Sequence, residues 1–169
     1  MELYAESDVR STAGGEELVD GLSALSRTVV GITARTLATL DVEVTLSQYR
    51  TLVVLASCGP LRTVDLAAAL HVHPSTATRT CDRLVRRDLV ARHQRPSDRR
   101  VALLTLTEAG KTLVGDVMRH RTQEIRRLVQ AVGAGHRTAA ELINALVIAA
   151  GEPTEDQWWQ RWEQSAEIP

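Results

Sequence analysis

Residues 74–100 gather the side chains of this sequence best suited to gripping an anion. The stretch opens Pro74-Ser-Thr-Ala-Thr-Arg79, with hydroxyls at Ser75, Thr76, Thr78 and Thr80, and guanidinium groups follow at Arg79, Arg83, Arg86 and Arg87. Steps of four and three put Arg79, Arg83 and Arg86 on one side of a helix. From His71 to Arg100 there are eight arginines against three acids, on a chain whose formal net charge is −1. A guanidinium forks onto two acceptors at once, whether phosphate oxygens or O6 and N7 of guanine, and a hydroxyl reaches either. The chemistry this pattern points to is recognition of a polyanion.

Catalytic patterns are missing. The sequence has no Gly-rich phosphate loop, no Gly-x-Ser-x-Gly, no His-Glu-x-x-His and no suitably placed carboxylate pair, so no enzyme activity is expected. The five histidines (His71, His73, His93, His120 and His136) form no ligand set beyond His71-x-His73, for which a structural or phosphate-contacting role outweighs zinc. No metal and no cofactor are expected. Cys58 and Cys81 stand too far apart for a Cys-x-x-Cys motif and read as two buried free thiols, Cys81 on an inward position.

The charge is unevenly laid out. Residues 1–20 carry six acids and one arginine, and residues 152–169 carry five acids and one arginine, so acidic ends flank a basic middle. That layout favours one defined basic face over a uniformly cationic surface. No apolar run has the length of a transmembrane helix, and the start Met1-Glu-Leu-Tyr-Ala-Glu6 lacks a signal-peptide pattern; a cytoplasmic protein without membrane contact is expected.

The elements that must hold the basic stretch follow from periodicity and caps. Residues 1–15, ending in Gly14-Gly15, read as a flexible acidic arm. Leu18, Leu22, Leu25, Val29 and Ile32 make one stripe of a long helix within residues 16–44, suited to another helix or a partner subunit. Thr45-Leu-Ser-Gln48 is a capping box opening a helix that Gly59-Pro60 ends. Val64–Leu70 is a short helix with Thr63 as N-cap, His71-Val-His73 is a turn, and Pro74 takes the first position of a helix to about Arg87. Ala77, Cys81 and Leu84, with Val85 beside them, face inward. Leu89–His93 and Val101–Leu106 form a two-stranded wing whose turn holds Arg95-Pro-Ser-Asp98. Thr107-Glu-Ala-Gly-Lys111 caps a third long helix, with a stripe through Val117, Arg121, Ile125, Leu128 and Val132. Thr138-Ala-Ala-Glu141 reads as a further capping box, and Trp158 and Trp162 stack one turn apart in a tail that allows an extra helix. The expected fold is mainly α with a small β-wing: a winged helix-turn-helix domain over residues 45–106 plus a helical dimerisation region.

Several of these segments together resemble the MarR family of winged-helix transcriptional regulators. The matching residues are Leu46-Ser-Gln-Tyr-Arg50, Val64-Asp-Leu-Ala67, Ser75-Thr-Ala-Thr-Arg79 with Asp82-Arg-Leu84, Leu89-Val90, Asp98-Arg-Arg100 and Leu104-Thr-Leu-Thr-Glu-Ala-Gly110. The resemblance spans roughly residues 16–150. It implies a homodimer built by residues 16–44 and 107–151, double-stranded DNA as partner, and a repressor acting on a pseudo-palindromic operator. Ser75, Thr76, Thr78 and Arg79 would read the major groove, and Arg83 and Arg86 would meet phosphate. In the wing, Asp98 would pair with Arg100, leaving Arg99 or Arg95 for the minor groove. Members of the family release DNA when a small lipophilic or phenolic anion binds between the dimer helices and the winged domain; the candidate lining residues are Arg27, Tyr49, Arg50 and His120. The chain departs from the family pattern at His71-Val-His73, at Asp88 after the recognition helix, and in the tryptophan-bearing residues 152–169. Two other readings compete. One is a winged helix used only for protein docking. The other is a thiol switch, which the lack of a first-helix cysteine, where the family's peroxide sensors carry theirs, disfavours.

Overall fold

The computed structural model describes residues 3–41, 43–95, 98–133 and 135–166, with side chains placed for 14–41, 43–93, 102–133 and 135–164. The chain order is α1 (Leu3–Ala38), α2 (Leu46–Cys58), β1 (Leu61–Arg62), α3 (Thr63–Ala69), α4 (Pro74–Arg86), β2 (Val90–Arg95), β3 (Asp98–Leu106), α5 (Glu108–Ala131), α6 (His136–Ala149) and α7 (Glu155–Ala166).

The core gathers where α2, α3, α4, β3 and α5 meet. Leu52, Leu66, Leu84, Leu104, Val114 and Val117 are all fully buried there. Each side chain of this size contributes about 1.5–3 kcal/mol by leaving water. β3 is the central strand, antiparallel to both neighbours, in the order β1-β3-β2. β1 pairs Leu61 with Leu104 and Arg62 with Leu103, while β2 runs beside β3 from Val90↔Leu106 to a register shift at Gln94/Arg95. Such a shift bends and twists a hairpin near its tip.

Most local signals act as expected. Gln48 N–H donates to Thr45 Oγ1 and Thr45 N–H to Gln48 Oε1, so the α2 capping box is closed. Gly59 ends that helix at φ 73°, a value that suits glycine. Thr107 Oγ1 accepts from Gly110 N–H at 3.0 Å and opens α5.

Five expectations are corrected. The segment read as a flexible arm is helical from Leu3 and the helix runs on through Gly14-Gly15; each glycine costs only ~1 kcal/mol relative to alanine. Leu61-Arg62, for which spacing gives no strand signal, is a strand recruited by the edge of β3. Thr63 is the first residue of α3 and Arg62 is the N-cap, without a side-chain cap bond; Arg62 instead forks onto Asp65 at 2.6 and 2.7 Å. Val85, read as half-inward, is exposed. Thr138 is not a cap: α6 starts at His136 after Gly135 in a left-handed conformation, placing Thr138 inside the helix. A capping box that sequence reading overlooked sits at Thr154 and Gln157, where Thr154 N–H donates to Gln157 Oε1 at 3.0 Å and Gln157 N–H to Thr154 Oγ1 at 3.4 Å.

The long helices and the tail differ in how far the chain covers them. Leu18, Leu25 and Val30 of α1, Leu128 and Val129 of α5 with its C-cap Val132, and Leu142, Ile143 and Leu146 of α6 are exposed, and α6 buries none of its residues within the chain. α7, by contrast, lies against α2 and buries Trp158 in the main core.

Candidate nucleic-acid interface

α4 is set by its two ends and its inner face. Ala77, Cys81 and Leu84 are buried in the core, which fixes the rotation of the helix about its axis. Ahead of it, α3 ends in a turn with His71 at φ 54°, and Pro74 supplies the first helical position. His73 is the N-cap: its Nδ1 accepts from Ser75 N–H at 3.3 Å and lies 2.9 Å from Ser75 Oγ. The His71-x-His73 pair is thus a turn and a cap. At the other end Asp88 takes φ 56°, and its carbonyl accepts the Thr107 hydroxyl at 2.5 Å. The hydrogen bond anchors the left-handed turn that a non-glycine residue adopts reluctantly.

With that rotation fixed, Ser75, Thr76, Thr78, Arg79, Arg83 and Arg86 are all exposed. Thr78 Oγ1 donates to Pro74 O at 2.9 Å, leaving its lone pairs as acceptors. Among the described residues no carboxylate stands within ion-pair distance of Arg79, Arg83 or Arg86. The other arginines nearby are different. Arg87 Nη1 donates to Gln48 Oε1 at 3.0 Å and its Nη2 is 3.8 Å from Glu43, tying the end of α4 to the start of α2. Arg92 pairs with Asp82 at 2.9 Å, tying β2 to α4. The basic run therefore divides into an outward trio and two braces. Periodicity exposes the trio; the braces link distant elements and leave no periodic signal.

The backbone of Arg95, Asp98, Arg99 and Arg100 runs in β2 and β3 on both sides of the wing tip. Their side chains, the expected pairing of Asp98 with Arg100 and residues 96–97 lie outside the described set.

This frame has known counterparts. A profile described as the MarR family matches residues 44–102. The HTH-type transcriptional repressor MdtR of Bacillus subtilis (strain 168) is 31% identical over 118 residues, which is 70% of this chain and 76% of that one. RV1404 from Mycobacterium tuberculosis superimposes with a TM-score of 0.76 at 37% identity, over 83% of this chain and 96% of that one. The chain belongs to the MarR family. It is a DNA-binding transcriptional regulator, from a family of regulators and not of enzymes. Streptococcus pneumoniae FabT, solved in complex with DNA, shares the MarR fold at a TM-score of 0.69 and 18% identity, over 80% of this chain and 94% of that one.

The residues that the MarR resemblance suggested for an effector do not gather in one hollow of the chain. Arg27, Arg50 and His120 are exposed on α1, α2 and α5, whereas Tyr49 is buried under α7. The Tyr49 hydroxyl has no hydrogen-bond partner, and burial pushes its pKa up to about 12, with Arg121 pulling it down and Glu155 pushing it further up. Arg121 and Glu155 themselves stand 3.7 Å apart. Trp158 Nε1 is a second buried donor without a partner. Two cavities flank the core. One of about 630 Å³ lies between α1, α2 and α4, with Leu37, Gln48, Arg83 and Arg87 in its walls. The other, about 610 Å³, lies between α2, the sheet and α5. Neither is lined by Arg27, Tyr49, Arg50 or His120.

The cysteines fit this MarR frame as packing and surface residues. Cys81 is buried in the core, and burial raises its thiol to about 11, with Arg92 opposing, so the nucleophilic thiolate is suppressed at neutral pH. Cys58, expected to be buried, is instead exposed, because it is the last residue of α2 before the Gly59 turn, with Ser57 Oγ 3.7 Å from its sulfur. Among the described residues no group of three or more His, Cys, Asp or Glu is arranged to hold a metal ion.

Proposed function

We propose that this MarR-family regulator is a repressor that grips a pseudo-palindromic operator as a homodimer and releases it when a small lipophilic anion binds. The observation that carries the DNA-binding half is the outward trio Arg79, Arg83 and Arg86, uncompensated by acids, on a helix whose rotation is locked by its buried face. Ser75, Thr76, Thr78 and Arg79 stand nearest the N-terminus of α4 and reach base edges, while Arg83 and Arg86 meet phosphate further along. In the wing, Asp98 pairs with Arg100 to steady the tip, and Arg99 or Arg95 enters the neighbouring minor groove.

The exposed apolar faces of α1, α5 and α6 support a second copy as the missing partner, since patches of that kind rarely stay open in a soluble protein. Two-fold symmetry then sets two α4 helices one DNA turn apart, ~34–36 Å. The name of MdtR supports repression, and FabT, which shares this fold, was solved in complex with DNA. No described helix is long and apolar enough to cross a membrane, in keeping with action on DNA in the cytoplasm. Arg27, Tyr49, Arg50 and His120 remain our candidates for the effector cleft that the dimer completes.

The test is fluorescence anisotropy of the purified chain with the intergenic DNA upstream of its own gene and with a shuffled duplex of equal length. Saturable binding at least roughly a thousandfold tighter to the first is expected of an operator-specific protein. Equal affinity for both duplexes would count against an operator in that region.

A further inference from the structure

Three exposed hydroxyls stand at the start of α4, and hydrogen bonds within the chain leave them unequal. The Ser75 hydroxyl lies 2.9 Å from His73 Nδ1, the same nitrogen that takes the Ser75 N–H at 3.3 Å. An amide N–H aimed at a ring nitrogen needs a lone pair there, because two hydrogens facing each other repel. Nδ1 is therefore bare, the ring proton sits on Nε2, and the Ser75 hydroxyl donates its own proton to Nδ1. Thr78 Oγ1 donates its proton to Pro74 O at 2.9 Å. Both side chains then turn only oxygen lone pairs towards solvent. Thr76 has no such partner among the described residues and can donate as well as accept. Positions 75 and 78 are three apart, so they share one face of the helix, next to Arg79, whose guanidinium only donates.

A lone pair selects its partner. Phosphate oxygens carry no hydrogen, and neither do O6 and N7 of guanine or O4 of thymine. The donors in the major groove are the amino groups of adenine and cytosine. To donate to DNA instead, Ser75 or Thr78 must first give up its internal bond, which cancels much of the gain. The partner of Thr78 is backbone and survives any substitution. The partner of Ser75 is a side chain, so the polarity of Ser75 depends on His73.

We propose that Ser75 and Thr78 read base amino groups, on adenine or cytosine, and do not contact phosphate, with His73 as the positioning residue that fixes the polarity of Ser75. Each half-site then holds an amino base facing each hydroxyl, close to the guanine taken by Arg79, an assignment that rests on the operator reading of the protein.

The test begins with duplexes selected from a random pool by the full-length protein. In the selected sequence each adenine is replaced in turn by purine and each cytosine by 2-pyrimidinone, which lack only the amino group, and binding is followed by anisotropy. One replacement per half-site is expected to weaken binding roughly five- to tenfold in the parent protein but not in Ser75→Ala, and a second to behave in the same way towards Thr78→Ala. Inverting the base pair that faces Ser75 sets a carbonyl against its lone pairs and weakens the parent further. In His73→Ala the hydroxyl is free to turn and donate, so the effect of inversion shrinks. His73→Asn, whose amide oxygen accepts the same two hydrogens, restores it. A cap that only held the helix would lower affinity for all duplexes together. Amino deletions whose effects survive both serine and threonine variants, a Ser75→Ala loss equal on every duplex, or an inversion effect indifferent to His73→Ala overturns the proposal. If His73→Ala melts below the assay temperature, the Ser75→Ala and Thr78→Ala comparisons decide alone. A selection that enriches no sequence defeats the operator reading and this proposal with it, whereas an enriched sequence without the coupling defeats this proposal only.

Discussion

Arg87 commits its guanidinium to Gln48 and Glu43, and Arg92 commits its own to Asp82, while Arg79, Arg83 and Arg86 keep theirs in solvent. Residue type alone does not separate these five; their surroundings do. Arg79→Ala is expected to cost about 1–3 kcal/mol on operator DNA and far less on random sequence, because a forked contact to guanine is lost only where guanine is read. Parallel anisotropy titrations on the two duplexes check this, and equal losses would remove Arg79 from base reading. A different residue governs alkaline stability. The Tyr49 pKa is raised from 10.0 to about 12 by burial, so its neutral form is favoured in the folded chain. The unfolded chain ionises this group first, so the stabilisation is complete below pH 10 and drains away between pH 10 and 12, by about 1.4 kcal/mol per pH unit. Tyr49→Phe removes that slope and a buried hydroxyl without a partner, and is expected to be neutral or stabilising by up to ~1 kcal/mol near neutral pH. Urea unfolding of both proteins across that range is the measurement.

At the scale of elements, the join between the end of α4 and the start of α5 explains the run Thr107-Glu-Ala-Gly110. The Thr107 hydroxyl is at once the cap of α5 and a donor to Asp88 O, and Thr107 N–H donates to Leu89 O at 3.2 Å. Gly110 packs so close to Leu89 that an added Cβ would collide with its carbonyl. Gly110→Ala should therefore destabilise the winged domain by about 2 kcal/mol or more, although alanine is the better helix former. A lower urea midpoint with an unchanged slope is the expected result; a stabilised variant would show that α5 can draw back from the turn without loss. α7 is the other element whose placement has consequences. Trp158 is its buried anchor in the main core, and Trp158→Ala is expected to remove about 3 kcal/mol, judged from guanidinium unfolding.

For the whole molecule, the decisive fact is that α6 and the outer halves of α1 and α5 present apolar side chains with no cover inside the chain. A helix of this kind draws its stability from what it packs against. In the homodimer we propose, replacing Leu142 and Leu146 together by glutamate should give monomers in sedimentation velocity and weaken binding to a two-half-site duplex much more than to a single half-site. A double variant that stays dimeric would relocate the interface away from α6. The acidic ends and the basic middle belong to the same plan, since charge of the two signs is kept apart along the chain.

Sequence alone determined those features whose causes lie within a few residues of each other. The Thr45–Gln48 box, the turn before Pro74, the inward set Ala77, Cys81 and Leu84, and the stacking of Trp158 on Trp162 are all written as short-range spacing, and each is found in the structure. Where two nearby signals compete, spacing is less reliable: Thr138-Ala-Ala-Glu141 has the form of a cap, but Gly135 had already turned the chain and the helix began ahead of it. Tertiary structure decided the rest. Gln48 meets Arg87 across thirty-nine residues, β1 exists because β3 offers an edge, and α7 turns back onto α2 to bury one tryptophan and roof a cavity with another. The reason is physical: a cap or a stripe draws its energy from neighbours along the chain, whereas a brace, a strand edge or a cavity wall exists only once distant surfaces have met.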